Sequence, residues 1–206
     1  MNIKTNKPNS AKKILDAATA EFSKKGLAGA RVDKIAQKAG VNKAMIYYHF
    51  DSKENLYRQV LERHLNLFKD FLSRDVALEK DPEKIFVSFA KFYISIFDQI
   101  RDFIPLLMRE VISGGSQLKH ILSDLDGNSP AMILKQAIEK GQADGLFREI
   151  DWRQSTISFV GMNLFYLMLF PVSNFVLEID DKESFREKRA EAIADLFLNG
   201  LRKREK

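Results

Sequence analysis

Apolar residues recur along this chain with a helical period from end to end, and no stretch alternates with the period of two that marks a strand. Ile14, Leu15, Ala18 and Phe22 predict a first helix from an N-cap at Ser10 to Lys25, with Gly26 ending it. Two very short elements follow in RVDKIAQKAGVNKAMIYYHFDSK, residues 31–53. The first turns Ile35, Ala36 and Ala39 inward and stops at Gly40, which tolerates the left-handed conformation that closes helices. Asn42 then caps a second helix, Lys43 to Phe50, in which Ile46 and Phe50 share a face and Lys43, Ala44, Tyr47, Tyr48 and His49 lie mostly outside it. Helices of two turns are marginal alone, so neighbours must hold them.

Asp51 or Ser52 caps the next helix, with Glu54 placed to complete a capping box. Leu56, Val60, Leu61, Leu65, Phe68, Phe71, Leu72 and Val76 extend that helix over about seven turns. Asp81-Pro82 opens another, apolar from Ile85 through Ile100; Pro105 opens one that breaks at Gly114-Gly115; Ser116 caps a short turn; Asp126-Gly127-Asn128 is a loop; Ser129-Pro130 starts the next. The final helix, Glu183 to about Arg204, carries Ala190, Ile193, Ala194, Phe197, Gly200 and Leu201 on one stripe.

Thr156 to Leu177 contains no charged residue and has the length of a bilayer span. Ser158, Asn163, Ser173, Asn174 and the interior Pro171 speak against that reading, as do the mean hydropathy of −0.25 and the lack of a second such segment. In a protein without a membrane role this helix needs cover on every side, from its own domain and from a partner chain. Pairing with the final helix in each of two subunits would give a four-helix interface.

Charge adds a direction. Residues 1–63 carry 13 Lys and Arg against 6 Asp and Glu, whereas the remainder carries 20 against 22. A basic first third on a near-neutral body suits a phosphate-binding head, although a solvated basic surface has the same composition. The chain has no cysteine, which excludes disulfides and thiolate metal sites, and His49, His64 and His120 have no metal-ligand spacing. No cofactor is expected. Residues 1–9 read as a polar arm with no secretory character, so a cytoplasmic location is expected.

The run IAQKAGVNKAMIYYHFDSKENLY resembles the N-terminal signature of TetR-family transcriptional regulators, and Ile14-Leu15-Asp16-Ala17-Ala18 to Phe22 with Gly26 is similar to the helix before it. The resemblance covers about a quarter of the chain. It implies an all-α homodimer of about nine helices per chain, with a three-helix DNA-binding head at residues 1–54 and a helical effector-binding and dimerisation domain at 55–206. It also implies that Lys43 and Ala44 meet bases or phosphates, that Tyr47, Tyr48 and His49 pack on backbone and groove, and that Lys53 meets a phosphate at a helix N-terminus. One of the adjacent tyrosines can instead pack inward. Where the family usually has Thr or Ser ahead of the second helix, this chain has Ala30-Arg31-Val32, so Arg31 is the candidate replacement for that phosphate contact.

The expected function is a repressor that binds a pseudo-palindromic duplex operator as a homodimer and answers to a small-molecule effector. Candidate effector residues are His64, Phe68, Phe89, Tyr93, Met108, Phe159, Met162, Asn163 and Tyr166; the 16 phenylalanines suggest a hydrophobic or aromatic ligand. Candidate dimer residues are Phe165, Leu169, Ile193, Phe197, Gly200 and Leu201. Two other classes remain open. One is a helical carrier or enzyme without a DNA role, which finds no G-x-S-x-G, P-loop or H-E-x-x-H to support it, and whose Arg109-Glu110 pair has no visible partner. The other is a protein anchored by residues 156–177.

Overall fold

Short polar side chains decide where several of the helices begin. The computed structural model describes residues 7–123 and 129–203, without the side chains of 7–9, 68, 97, 98, 171 and 174. Its helices are α1 (Lys7–Gly29), α2 (Val32–Ala39), α3 (Lys43–Phe50), α4 (Lys53–Phe71), α5 (Pro82–Ser95), α6 (Phe97–Ile100), α7 (Ile104–Ile112), α8 (Ser116–Ser123), α9 (Pro130–Ala143), α10 (Trp152–Val176) and α11 (Lys182–Leu201). A π-helical turn, Leu72–Val76, prolongs α4. Extended pairing among the described residues is confined to an isolated bridge between Phe147 and Arg202. The chain is all-α.

Asn42 accepts the Met45 amide at 2.8 Å, Asp81 accepts the Glu83 amide at 2.9 Å, and Ser129 caps α9 ahead of Pro130. Gly40 closes α2 with φ 67°. Other boundaries differ from expectation. Ser10 lies inside α1, and its hydroxyl pairs with His49 Nε2 at 2.9 Å. Gly26 (φ 65°, ψ 178°) interrupts α1, which resumes to Gly29. Ser52 caps α4 by accepting the Asn55 amide at 3.0 Å, and Asn55, not Glu54, reaches back, donating to the Phe50 carbonyl. Ser116 is the first residue of α8, not its cap. The helix expected through Ile100 ends at Ser95, and the four-residue α6 follows. The expected loop at Asp126-Gly127-Asn128 and residues 1–6 of the expected arm lie outside the described residues.

The chain divides into two compact units, Met1–Leu67 with Ile100–Asp124, and Phe68–Gln99 with Leu125–Lys206. In the first, α1 packs on α2, α3 and α7. All eight apolar residues expected in the head core are buried: Ile14, Ala18, Phe22, Ile35, Ala36, Ala39, Ile46 and Phe50. That core extends into α4, where Tyr57 meets Phe22 edge-to-face at 5.1 Å. Arg109 donates to the carbonyls of Ser23 and Lys24 just before the Gly26 break, and Glu110 accepts from Tyr57 and from the Gln117 amide. The pair without a visible partner in the sequence therefore has four.

In the second unit α11 packs most extensively on α5, while α9 packs on α5 and α10. Phe86 sits at the centre, 5.1 Å from Phe159 and 5.2 Å from Phe197. Burying such rings contributes roughly 2–3 kcal/mol each. The π turn ends the preceding segment with Phe71 stacked on Phe92 at 4.1 Å. Within the chain α10 is covered on one side only: Thr156, Phe159, Asn163, Tyr166 and Leu167 are buried, whereas the apolar Ile157, Phe165, Met168, Leu169, Val172, Phe175 and Val176 are exposed. No helix of the described residues is long and apolar enough to cross a membrane.

Candidate nucleic-acid interface

α2 and α3 are set by one glycine and one asparagine. Left-handed Gly40 sends its amide to the Gln37 carbonyl at 3.3 Å, the Val41 amide bonds Ala36, and Asn42 restarts the chain in extended backbone. Ile46 and Phe50 then fix α3 by burial. This orientation exposes Lys43, Ala44, Tyr47 and Tyr48, the tyrosines to 41% and 63%, so neither of the two packs inward.

The polar atoms of this surface have local partners that arrange them. Lys43 Nζ lies 3.0 Å from Asp33 Oδ1, and the bond to Asp33 holds the ammonium above its usual pKa. His49 is half-buried and tied to Ser10 of α1. Lys53 begins α4 and donates to the Ala28 carbonyl at 3.3 Å. Arg31 precedes α2 without a side-chain cap bond, and its backbone amide donates to Glu21 Oε1 at 3.3 Å. The hydroxyl-type cap is absent there, while Asp33 in the first turn complements the helix dipole. Within one packed unit, then, four exposed side chains of a capped two-turn helix accompany the cations of Arg31 and Lys53. Such a set can contact phosphates and base edges together. The roles of Ser10 and Asp33 at this surface are not legible in sequence because they depend on partners 39 and 10 residues away.

The candidates for an effector site fall in both units. His64 and Met108 belong to the first unit, where His64 stacks on Phe103 at 4.1 Å. Phe89, Tyr93, Phe159, Met162, Asn163 and Tyr166 belong to the second. Phe89 and Phe159 are fully buried among other rings, with Phe89 edge-on to Phe71 at 5.2 Å. Tyr93 is buried, and burial raises its pKa. The side chain of Phe68 lies outside the described residues. Asn163 is fully buried with its Oδ1 unpartnered, and Tyr166 is 8% exposed with its hydroxyl unpartnered. An unmet buried group of this kind costs about 1–3 kcal/mol.

Among the dimer candidates, Phe165 and Leu169 face solvent, at 59% and 37% exposure. Ile193, Phe197 and Leu201 do not: each is at most 6% exposed, on the helix that packs against α5 of the same chain. Their side chains are already covered, which removes them as surface anchors. Gly200 is exposed, and a Cβ there would meet nothing within 4 Å.

Comparison with known proteins settles the lineage. Residues 14–60 match the model of the bacterial regulatory proteins, tetR family, and residues 82–196 match that of the tetracyclin repressor-like C-terminal domain. The chain belongs to the TetR family. Among curated TetR-family relatives, the HTH-type transcriptional repressor NicS of Pseudomonas putida is 31% identical over 92% of this chain and 91% of its own length. The IcaR negative regulator of the biofilm operon in Staphylococcus epidermidis is 34% identical over 55% of this chain and 62% of its own. Two solved structures share the fold. The hemolysin II regulator HlyIIR aligns with a TM-score of 0.69 at 20% identity, covering 97% of this chain and all of that one. AibR, solved with isovaleryl coenzyme A and operator DNA, aligns at 0.71 with 19% identity, over 91% and 97%. The protein is a TetR-family transcriptional regulator, and its relatives are regulators, not enzymes.

Proposed function

We propose that this regulator is a repressor that binds a pseudo-palindromic operator as a homodimer in the cytoplasm and leaves or changes its operator when a small molecule enters its helical body. The observation that carries the reading is the exposure of Lys43, Ala44, Tyr47 and Tyr48 on a helix whose buried residues are Ile46 and Phe50. Residues 1–54 act as the DNA-binding part and 55–206 as the effector and dimerisation part. Arg31 and Lys53 neutralise phosphates, His49 is a packing and backbone contact steadied by Ser10, and Lys43 and Ala44 select bases. The dimer face is the exposed side of α10, with Phe165, Leu169, Val172 and Val176 at helical spacing; four large apolar side chains on one stripe call for cover. Gly200 lets a partner backbone approach closely.

Selection of bound duplexes from a random-sequence pool tests this directly. The expected product is an inverted repeat whose half-sites are about one helical turn, or a multiple of it, apart. Affinity should fall steeply with salt, Lys53→Ala should weaken all duplexes alike, and Lys43→Ala should change which half-site is preferred. Phe165→Glu combined with Leu169→Glu should yield monomers on a sizing column. A monomeric native chain indifferent to every duplex at low ionic strength overturns the proposal.

A further inference from the structure

Of the five buried side-chain atoms without a hydrogen-bond partner among the described residues, four lie on α10 and α11: Thr156 Oγ1, Asn163 Oδ1, the Tyr166 hydroxyl and Arg189 Nε. Native proteins leave few such atoms, and a cluster of them marks a place where something else supplies the bonds. Asn163 and Tyr166 are three residues apart, one above the other on the inner face of α10. The amide of Asn163 is fixed, since its Nδ2 donates to the Phe159 carbonyl at 2.9 Å, and this leaves Oδ1 waiting for a donor. Across the next turn the requirement reverses. The Arg189 guanidinium lies over the Tyr166 ring, 5.1 Å from its centroid, and its Nε, like the phenol, can donate to an acceptor.

No carboxylate stands at the helical pairing positions beside Arg189. The positions three and four residues away are Phe185, Arg186, Ala192 and Ile193. Arg186 adds a second cation that acts on the Tyr166 hydroxyl. A half-buried guanidinium whose Nε is shielded from solvent, beside a phenol, favours an anionic oxygen over a neutral one. The surroundings are flat and apolar, with Phe170 at 5.6 Å and Phe185 at 6.1 Å from the Tyr166 ring.

We infer that the inner face of α10 at Asn163 and Tyr166, closed by Arg189 of α11, binds a small aromatic carboxylic acid that also carries a hydroxyl or N–H group. The carboxylate meets Arg189 and Tyr166, and the donor hydrogen meets Asn163 Oδ1. The rise of about 4.5 Å between the two α10 positions matches a ligand of single-ring size. This assignment rests on the effector role proposed above and gives that effector its chemistry: an acid with one donor, where composition alone suggested only an apolar or aromatic body.

The test uses the full chain and three probes, 4-hydroxybenzoate, benzoate and 4-hydroxybenzyl alcohol, read as melting-temperature shifts and by calorimetric titration. A ligand of the folded state raises the melting temperature in proportion to its affinity. The expected order is hydroxybenzoate first, with benzoate and the alcohol each weaker by about tenfold or more. Tyr166→Phe removes only an unpartnered hydroxyl, so the unliganded protein should melt no lower than the native one while the preference for acid over alcohol collapses. Arg189→Met, which keeps the packed stem, should abolish that preference as well. The inference is overturned if no probe shifts the melt, if acid and alcohol bind alike, or if both variants retain the native preference. Duplex binding by the unliganded protein is measured in parallel. A native chain that binds DNA yet shows no preference for acid over alcohol sinks this site alone, whereas acid binding by a chain that ignores every duplex upholds the site and sinks the regulatory reading.

Discussion

Tyr57 and Glu110 form a buried hydrogen bond, hydroxyl to Oε2 at 2.9 Å, with the two residues 3% and 7% exposed. The other oxygen of the same carboxyl accepts the Gln117 amide at 2.8 Å, so one side chain of α7 fastens α4 to the start of α8. Glu110→Ala would strand two donors and should cost about 2–4 kcal/mol of stability; Tyr57→Phe leaves the Gln117 bond in place and should cost about 1–2 kcal/mol. Urea denaturation of both variants checks the order, which fails if Tyr57→Phe proves the more damaging.

Alkaline pH should weaken the fold. Burial raises the pKa of Tyr57, with the Glu110 bond adding to it, and burial also raises Tyr93 and Tyr166. The native state then keeps protons that the unfolded chain releases near pH 10, so the stability these groups contribute is complete below that pH and is lost as pH rises beyond it. Melting temperatures from pH 8 to 11, on the order of unit steps, should drop, and less steeply in Tyr57→Phe.

His64 works at the other end of the scale. Burial lowers its pKa, although Nδ1 donates to the Val60 carbonyl at 2.8 Å and the ring stacks on Phe103. The unfolded chain takes up a proton at about pH 6.5 that the native state resists, so stability is lost as pH falls from there toward the lowered native value. His64→Phe keeps the stacking and should flatten that acid limb. An unchanged limb would place its cause elsewhere.

Gly141 is a matter of space. It lies within α9, and a Cβ added there would overlap the buried Phe147 ring. Gly141→Ala should destabilise by about 2 kcal/mol or more despite alanine's better helix propensity. Gly141→Ala combined with Phe147→Leu should recover part of the loss, read by the same denaturation curves.

Asp33 restrains Lys43 at the surface proposed to face DNA. Asp33→Asn removes a negative charge and frees the ammonium, so affinity for every duplex should rise by about two- to fivefold, within the worth of an exposed pair. Lys53→Ala should move the other way and reduce the salt slope by about 0.9. Fluorescence anisotropy at several salt concentrations resolves both effects.

Features decided within one turn of chain were legible from sequence: the Asn42, Asp81 and Ser129 caps, left-handed Gly40, and the inward pair Ile46 and Phe50. Misplaced features depend on distant residues. Ser10 has the chemistry of a cap, but His49 claims its hydroxyl. The stripe of Ile193, Phe197 and Leu201 reads the same whether α5 or a second copy covers it, and α5 does. Whether Gly141 ends or continues its helix cannot be read locally, and in the fold it lies inside α9 against Phe147. In the uncharged run from 156 to 177, composition could not say that Asn163 and Tyr166 face inward while Phe165 and Leu169 face out.

The burial of only two of the eight residues of α3 has an evolutionary consequence. Exchanges at Lys43, Ala44, Tyr47 and Tyr48 leave the interior untouched, so a lineage carrying this scaffold can drift to new target sequences without first acquiring compensating stability. On the proposed roles of these residues, specificity and foldability are separate heritable traits in this head, and descendants can diverge in the genes they govern faster than in shape.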